Sequence, residues 1–214
     1  MEVEPADAQA EWARQWFIVG RWQEYAGEWR TNLLRMAAVG AFYVVQLIHY
    51  YGLAQIDDAE RSFHRVATAI TAAWMSLTMV VFVCLWRGYL PPALKYISSG
   101  CDLALLTGLA CLGAGPASPL ILGYFLIIAS TALRFDLWLV RTLTLASMAG
   151  YLLTAGCKDR GWFDAEHVVA PTQMLLTLVS LGMTGVIVGQ VVRRAEQLSA
   201  EFARRIVALE RRAS

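Results

Sequence analysis

Long apolar stretches alternate with short polar segments along most of the chain. A membrane-spanning helix needs about 20 apolar residues, because the hydrocarbon core is about 30 Å thick and each helical residue rises 1.5 Å. Six stretches approach that length, at residues 34–54, 66–86, 97–114, 118–135, 137–155 and 171–192. The pattern predicts an all-α membrane protein built as a six-transmembrane helix bundle.

The third and fourth stretches are shorter than the others and flank the sequence GAGPASP at 113–119. Two Gly and two Pro within this segment favour a turn over a continuous helix. We therefore expect a hairpin of two short spans here, with a re-entrant pair as the alternative.

The composition excludes an ordinary soluble domain, since 57% of residues are hydrophobic and 16% charged, against about 25% charged in soluble domains. The 18 basic and 17 acidic residues nearly balance, so their positions matter more than their sum. With the N-terminus inside, only Arg61, Arg65, Lys158 and Arg160 lie outside, and the other 14 basic residues lie inside. This bias predicts an N-in/C-in, multi-pass protein of the cell inner membrane.

Polar segments flank the predicted six-helix transmembrane domain, which covers residues 32–192. Residues 1–31 carry aromatic side chains at helical spacing, among them Trp12, Trp16 and Trp22. The spacing predicts an amphipathic interfacial helix. Indole rings also serve as interface anchors, so a docking face for another subunit is the alternative.

Residues 193–214 are basic and contain no Gly or Pro, which predicts a cytoplasmic C-terminal helix. Leu198, Phe202 and Leu209 are spaced as in the seam of a coiled coil. A dimer stalk and a basic helix held by anionic lipid both fit this pattern. Gly185 and Gly189 in the last span allow close helix packing, either within one chain or between two copies.

Ionisable residues inside a membrane span are costly and usually have a partner or a function. Asp102 lies within the third span and Arg134 at the end of the fourth. We expect Asp102 to pair with Lys95 or Arg134, with a conformational or proton-linked role as the alternative. Arg134 and Asp136 are expected to fix the turn between the fourth and fifth spans, with the arginine reaching toward water.

The three histidines of the chain fall at the outer side of this topology. His49 lies near the end of the first span, while His64 and His167 directly precede the second and sixth. With Tyr51 and Asp58 nearby, these residues form a candidate ligand pocket. A transition metal held by His49, His64 and His167 is also possible, because imidazole binds such metals. Ordinary hydrogen bonding of interface histidines is the simpler interpretation.

Catalytic signatures are missing from the sequence, and we do not expect an enzyme. Nucleophilic triads, phosphate-binding glycine loops and Cys-x-x-Cys pairs do not occur. Haem is not expected, because only His49 lies within a span and a bis-histidine site needs two facing ligands. No cofactor is therefore predicted apart from the possible metal.

Three segments have a recognisable pattern, namely HYYGL at 49–53, ALKYISSGCDLALL at 93–106 and GPASPLILGYFLIIASTALRF at 115–135. Together they resemble the six-helix membrane sensor domains that precede bacterial adenylate/guanylate cyclase and related signalling modules. The resemblance covers roughly residues 30–195 and implies a sensor that passes a signal into its C-terminal helix. Such domains lead into an output domain, and the sequence ends at Ser214. A stand-alone sensor, an accessory subunit and a truncated protein all fit this ending.

The sequence thus favours a non-enzymatic sensor or regulatory protein that transmits an outer-face signal to its C-terminal helix or a partner. An accessory or assembly subunit of a larger membrane complex is the main alternative, and a small transporter is the third. We expect membrane lipid as a partner, together with a second copy or another membrane subunit, and no nucleic acid.

Overall fold

A computed structural model describes residues 5–52, 57–89, 91, 93–158 and 169–213, with side chains described for 25–52, 57–58, 60–89, 91, 93–157, 169–201 and 205. Helices make up nearly all of these ranges, and no strand occurs within them. The α-helices are α1 (Pro5–Gly52), α2 (Asp58–Trp86), α3 (Leu94–Leu112), α4 (Leu122–Ser130), α5 (Leu137–Lys158) and α6 (Pro171–Ala213). The prediction of an all-α protein is confirmed for the described residues.

Among the described residues, four helical segments are long and apolar enough to cross a membrane. They are Tyr25–Gly52, Glu60–Trp86, Leu137–Cys157 and Pro171–Glu201. These segments belong to α1, α2, α5 and α6, and they are consistent with a membrane protein.

The fourth apolar segment is helical but irregular. Its α-helical part, α4, has only nine residues. It is preceded by the 3₁₀ turn Pro119–Ile121 and followed by the 3₁₀ turn Thr131–Arg134. A 3₁₀ turn rises about 2.0 Å per residue against 1.5 Å for an α-helix, so the whole segment extends about 27 Å.

The turn between α3 and α4 lies where the Gly and Pro residues predict it. Gly115 has a φ of +64°, a conformation that L side chains rarely adopt. Ser118 then accepts a hydrogen bond from the backbone N–H of Leu120 (3.2 Å) and caps the next 3₁₀ turn. Four residues after the prolyl turn begins, Gly123 packs on Leu106, where a Cβ atom would lie 2.9 Å from the leucine methyl groups. The turn therefore folds α4 back onto α3.

Helix α2 has clear signals at both ends. At its start, the Asp57 side chain accepts from the Asp58 N–H (2.7 Å) and the Asp57 N–H donates to Glu60 (3.4 Å), which forms a capping box. At its end, Gly88 takes a left-handed conformation with a φ of +70°. The Gly88 N–H donates to the Leu85 carbonyl (2.9 Å), which is typical of a helix C-terminus.

The bundle is held mainly by packing of α1 on α2, of α3 on α5 and of α5 on α6, with α4 packed on α5 and α6. Gly185 of α6 faces α5 so closely that a Cβ atom would overlap Thr144. A Cβ atom on Gly189 would lie 3.9 Å from the side chains of Leu137 and Val140 of α5. Gly185 therefore serves close packing within the chain, whereas Gly189 makes only ordinary van der Waals contact there, and pairing of two copies stays a prediction.

The bundle has a basic end and a histidine end. The basic end is where α2 ends and where α3 and α5 begin, and it holds Arg87, Lys95 and Arg141. The histidine end is where α1 ends and α2 begins, and it holds His49 and His64.

Helix α1 runs without a break from Pro5, through the expected boundary near residue 31, to Gly52. Its contact with the bundle begins earlier than the first apolar stretch, since Gly27 and Glu28 are already buried. The face of α1 that packs at the basic end is therefore polar in sequence although it is buried.

Candidate functional site

A buried ion pair joins α1 to the 3₁₀ turn Thr131–Arg134 near the basic end. The Arg134 guanidinium lies with Nε 2.8 Å from Glu28 Oε1 and donates from Nη2 to Glu28 Oε2 at 2.9 Å. The side chains of Glu28 and Arg134 are only 5% and 2% exposed. A two-pronged arginine–carboxylate contact of this kind fixes geometry as well as charge.

The same guanidinium also binds the first turns of α3. Arg134 Nη1 donates to the Lys95 carbonyl (3.1 Å) and to Ser99 Oγ, and Nη2 donates to Ser98 Oγ (3.2 Å). Arg134 therefore connects three elements, namely α1, α3 and its own turn. We expected this side chain to reach toward water, but it is buried because its charge is matched by Glu28.

A second ion pair lies deeper in the bundle, between α1 and α3. Arg35 Nε donates to Asp102 Oδ2 (2.8 Å), and Arg35 Nη2 lies 2.7 Å from the same oxygen. Arg35 Nη1 donates to Asn32 Oδ1 (3.1 Å), and Asn32 Nδ2 donates to the Thr78 carbonyl of α2 (3.2 Å). This set ties α1 to both α2 and α3.

Trp74 of α2 completes the deeper set. Its indole Nε1 donates to Asp102 Oδ1 at 2.7 Å, so both oxygens of this carboxylate have partners. The sequence led us to expect Lys95 or Arg134 as the partner of Asp102. Asp102 instead pairs with Arg35, while Lys95 pairs with Asp136 at 2.6 Å.

Four residues of these buried contacts were not predicted from the sequence, namely Glu28, Asn32, Arg35 and Trp74. A signal for three of them was present, because Glu28, Asn32 and Arg35 follow the i, i+4, i+7 spacing of one helix face. Glu28 and Asn32 precede the first apolar stretch, and Arg35 is its second residue, so their positions alone indicate the membrane interface and not a buried network.

Close backbone contact accompanies the polar network at the basic end. A Cβ atom on Gly27 would lie 2.5 Å from the carbonyl oxygen of Leu133. Backbone cannot yield as a flexible side chain can, so α1 approaches the 3₁₀ turn Thr131–Arg134 only because residue 27 is a glycine. This contact seats Glu28 beside Arg134.

Asp136 organises the surface of the basic end. Its Oδ1 accepts from the backbone N–H groups of Trp138 (3.0 Å) and Leu139 (3.1 Å), which caps the start of α5. Its Oδ2 binds Lys95 (2.6 Å) and Tyr96 Oη (3.1 Å) of α3. Burial raises the pKa of Asp136, but these hydrogen bonds and the Lys95 charge outweigh it, so the pKa lies below its usual range. The expectation that Asp136 fixes this turn agrees with these contacts.

An apolar cavity of about 640 Å³ lies between α1, α2, α3 and the turn that follows α3. This volume falls in the usual range for small-molecule sites. Aliphatic and aromatic side chains form most of the wall, and Gln46, His49 and Glu60 supply polar atoms toward the histidine end. Trp74 lies at the opposite end of the cavity.

Trp74 also borders a smaller hollow of about 60 Å³ that reaches Arg35 and Asp102. The cavity and the smaller hollow also have three other lining residues in common, namely Val39, Phe42 and Leu106. The Trp74 ring therefore contacts the apolar cavity while its N–H binds the buried carboxylate. Within the described residues, Trp74 is the side chain of the cavity wall that hydrogen-bonds to one of the ion pairs.

The predicted ligand residues are only partly brought together. His49 lines the cavity, whereas His64 stacks on Tyr50 with ring centroids 3.9 Å apart. Tyr51 is 75% exposed and meets the edge of the His64 ring. Asp58 is exposed and pairs with Arg61 at 3.3 Å.

The metal expectation rests partly on His167, which lies outside the described residues. No group of three His, Cys, Asp or Glu side chains with metal-binding geometry occurs in the described part of the chain. A metal held by His49, His64 and His167 stays a prediction.

The predicted partner-binding side chains are described only in part. Leu198 of α6 is 49% exposed. The side chains of Trp12, Trp16, Trp22, Phe202 and Leu209 lie outside the described residues, so their roles stay predictions.

No protein-family model, curated protein or solved structure matches this chain.

Proposed function

We propose that the chain is a six-span, N-in/C-in membrane sensor without enzymatic activity of its own. In this proposal a small molecule occupies the apolar cavity near the histidine end, which faces outward. The bundle then passes the change to α6 on the cytoplasmic side. The observation that carries the proposal is the position of Trp74, whose ring contacts the cavity and whose N–H binds Asp102.

The distribution of exposed aromatic and basic residues supports this topology. Trp86, Tyr89, Phe135 and Trp138 are large exposed aromatic residues at the basic end, and Tyr51 is one at the histidine end. Aromatic rings of this kind favour the membrane–water interface, and basic residues favour the cytoplasmic side. The length of the segment around α4, close to the hydrocarbon thickness, supports its assignment as a span.

A route for the signal can be followed through contacts. Displacement of the Trp74 ring would alter the hydrogen bond to Asp102 and, through it, the position of Arg35 on α1. The same face of α1 holds Glu28, which binds Arg134. The 3₁₀ turn that carries Arg134 contacts both α1 and α6. A movement of α1 can therefore reach α6 through this turn.

The energy required is modest. A ligand shifts a two-state equilibrium by its difference in affinity for the two states. A preference of about 1 to 3 kcal/mol changes the population ratio by about 5- to 150-fold. Rearrangement of one charge-assisted hydrogen bond, worth about 1.5 to 3 kcal/mol, is of this size.

The test fills the cavity without needing to know the ligand. Thr71 lines the cavity, and its neighbour Ala72 is exposed on the other side of α2. Thr71→Phe places a ring in the cavity, whereas Ala72→Phe adds the same ring to the outer surface. Spin labels at Arg30→Cys on α1 and Glu196→Cys on α6 report the distance between the two helices by pulsed EPR. Both label positions are exposed, and the four native cysteines are replaced by alanine.

The proposal predicts that Thr71→Phe changes the α1–α6 distance distribution and that Ala72→Phe leaves it as in the unsubstituted protein. Identical distributions for all three proteins in lipid nanodiscs would contradict the sensor. A similar change from both substitutions would show a general disturbance of α2 and would also contradict it.

An accessory subunit is the second candidate function, supported by the length of the two terminal helices. Helix α6 runs to Ala213, about 30 Å past residue 192, and presents Leu198 to solvent. In this alternative the helix and the Trp-rich start of α1 hold another protein. Gentle purification from the native membrane would then yield a stoichiometric partner, which replacement of Trp12, Trp16 and Trp22 by alanine would release.

A further inference from the structure

We propose that the ligand of the cavity is an uncharged amphiphile, a molecule with a long apolar body and one neutral hydrogen-bonding head. The head would lie beside Gln46, His49 and Glu60, and the tail would end against Trp74. This inference rests on the cavity that the proposed function uses, and it adds the chemical class and the orientation of the ligand.

The length of the cavity favours an elongated molecule. Glu60 and Trp74 both line it and lie 14 positions apart on α2. At 1.5 Å per residue, the two ends are about 21 Å apart. Apolar side chains such as Phe42, Phe63 and Leu109 form most of the wall between them, with the hydroxyl groups of Tyr43 and Thr71 among them. An unpaired polar group would be costly along this wall.

The two ends of the cavity differ in polarity. At the deep end, the Trp74 indole N–H already binds Asp102 at 2.7 Å and offers the ligand only its ring. At the histidine end, Gln46 supplies both donor and acceptor atoms, and His49 supplies ring nitrogens. A ligand with a polar head is therefore oriented with that head toward the histidine end.

The charge at the polar end favours an uncharged head. Glu60 is the acidic residue of the lining, and no Lys or Arg is among the described residues that line the cavity. An anionic head would meet Glu60 without a cation to balance it. A cationic head would be drawn to Glu60 but would then lie at the mouth of an apolar cavity, where desolvation of a charge is costly.

The experiment uses three probes with the same terminally brominated alkyl chain, namely a primary alcohol, the carboxylate and the alkylamine. Each is titrated into the full chain in phosphatidylcholine nanodiscs, and bromine quenching of tryptophan fluorescence is measured. The chain has eight tryptophans, so the signal of Trp74 is isolated by comparison with Trp74→Phe. Trp138→Phe removes an indole that is 64% exposed and serves as the matched control.

The alcohol should give a saturable quenching component that Trp138→Phe retains and Trp74→Phe lacks. The carboxylate and the amine should each bind roughly tenfold more weakly, which corresponds to about 1.4 kcal/mol. His49→Ala should weaken binding of the alcohol severalfold, while His64→Ala should not, because only His49 is among the residues that line the cavity. Glu60→Gln should bring the affinity for the carboxylate toward that for the alcohol.

A saturable component that survives Trp74→Phe would overturn the assigned orientation. Equal affinity for the three probes would overturn the assigned class. Bilayer lipid is the other possible occupant, and it is tested with nanodiscs of chain-brominated phosphatidylcholine. If the brominated lipid quenches Trp74 and the unbrominated alcohol does not relieve this quenching, the proposal is also overturned.

The outcome can be separated from the test of the proposed function. Binding of the alcohol with an unchanged α1–α6 label distance would keep the ligand assignment and contradict the sensor. A distance change in Thr71→Phe without selective binding of the alcohol would keep the sensor and contradict the ligand class.

Discussion

The two halves of the bundle are held together by different means. In the half nearer the basic end, two buried ion pairs and a close backbone contact at Gly27 fix α1 against α3 and the turn that contains Arg134, and Asn32 ties α1 to α2. Near the histidine end, α1 and α2 border a cavity of about 640 Å³, with the Tyr43–Thr68 hydrogen bond (3.1 Å) and the stacking of His64 on Tyr50 across their interface.

This difference suggests a division of roles between the halves. Interiors are close-packed, so a space of this size leaves room for a ligand where helices can adjust around it. The ion-paired half has few alternative arrangements, since each buried charge needs its partner. A change in this half would therefore displace several helices together. Trp74 lies at the border of the two halves.

The largest expected effect comes from breaking the Glu28–Arg134 pair. Arg134→Met leaves Glu28 buried without its partner, and we expect a loss of about 3 to 5 kcal/mol of stability. The thermal midpoint of the protein in nanodiscs would fall accordingly. The double variant Glu28→Met with Arg134→Met should recover much of the loss, because no unpaired charge then remains. A double variant as unstable as Arg134→Met alone would contradict the pairing.

Gly27→Ala tests the close contact without changing any charge. The new Cβ atom would meet the Leu133 carbonyl oxygen at 2.5 Å, and we expect a cost of about 3 kcal/mol, near the upper end for overpacking. Gly40→Ala is the matched control on the same helix, because nothing lies within 4 Å of its Cβ position. Similar thermal midpoints for the two variants would show that α1 does not approach the turn this closely.

Trp74→Phe removes the indole N–H while keeping an aromatic ring at the border. The Asp102 oxygen then lacks one donor but stays paired with Arg35, so we expect a loss of about 2 kcal/mol. Trp138→Phe, at an exposed position, should leave the midpoint nearly unchanged. Equal midpoints for the two variants would indicate that the Trp74–Asp102 bond contributes little.

The smallest effect is expected at Asp136, on the surface of the basic end. Its pKa is lowered in the folded protein, so its stabilising effect is present above the usual pKa of Asp and is lost as the pH falls through the lowered value. Asp136→Asn should cost about 1 kcal/mol or less at neutral pH, since the group is partly exposed. The difference from the unsubstituted protein should vanish in acid.

Asp58→Asn provides the control for this pH dependence. Asp58 pairs with Arg61 at the opposite end of the bundle, and its side chain is 95% exposed. Its replacement should leave the pH profile of the thermal midpoint unchanged. A gap between Asp136→Asn and the unsubstituted protein that persists in acid would contradict the assigned role of the carboxylate.

The sequence was sufficient for those parts of the fold that depend on local signals. Apolar stretches predicted the helices, and Gly115 with its neighbouring prolines predicted the turn between α3 and α4. These features depend on hydropathy and backbone conformation within a few residues. The number of spans and their orientation stay predictions.

The candidate site depended on information that hydropathy does not carry. Arg35 and Asp102 lie 67 positions apart, and Glu28 and Arg134 lie 106 apart. Their pairing requires knowledge of which helices are neighbours. His49, which lines the cavity, was predicted as a ligand residue because polar groups near a span end are visible in the sequence. Trp74 could not be distinguished in the sequence from the other apolar residues of the second span.

The most direct test of the account is a double-variant comparison of the α1–α6 label distance. The distance distribution is measured in the labelled protein, in Thr71→Phe, in Trp74→Phe and in the variant with both changes. The account predicts that Thr71→Phe shifts the distribution only when Trp74 is present, because the indole connects the cavity to Asp102. An equal shift with and without Trp74, or no shift in either case, would contradict it.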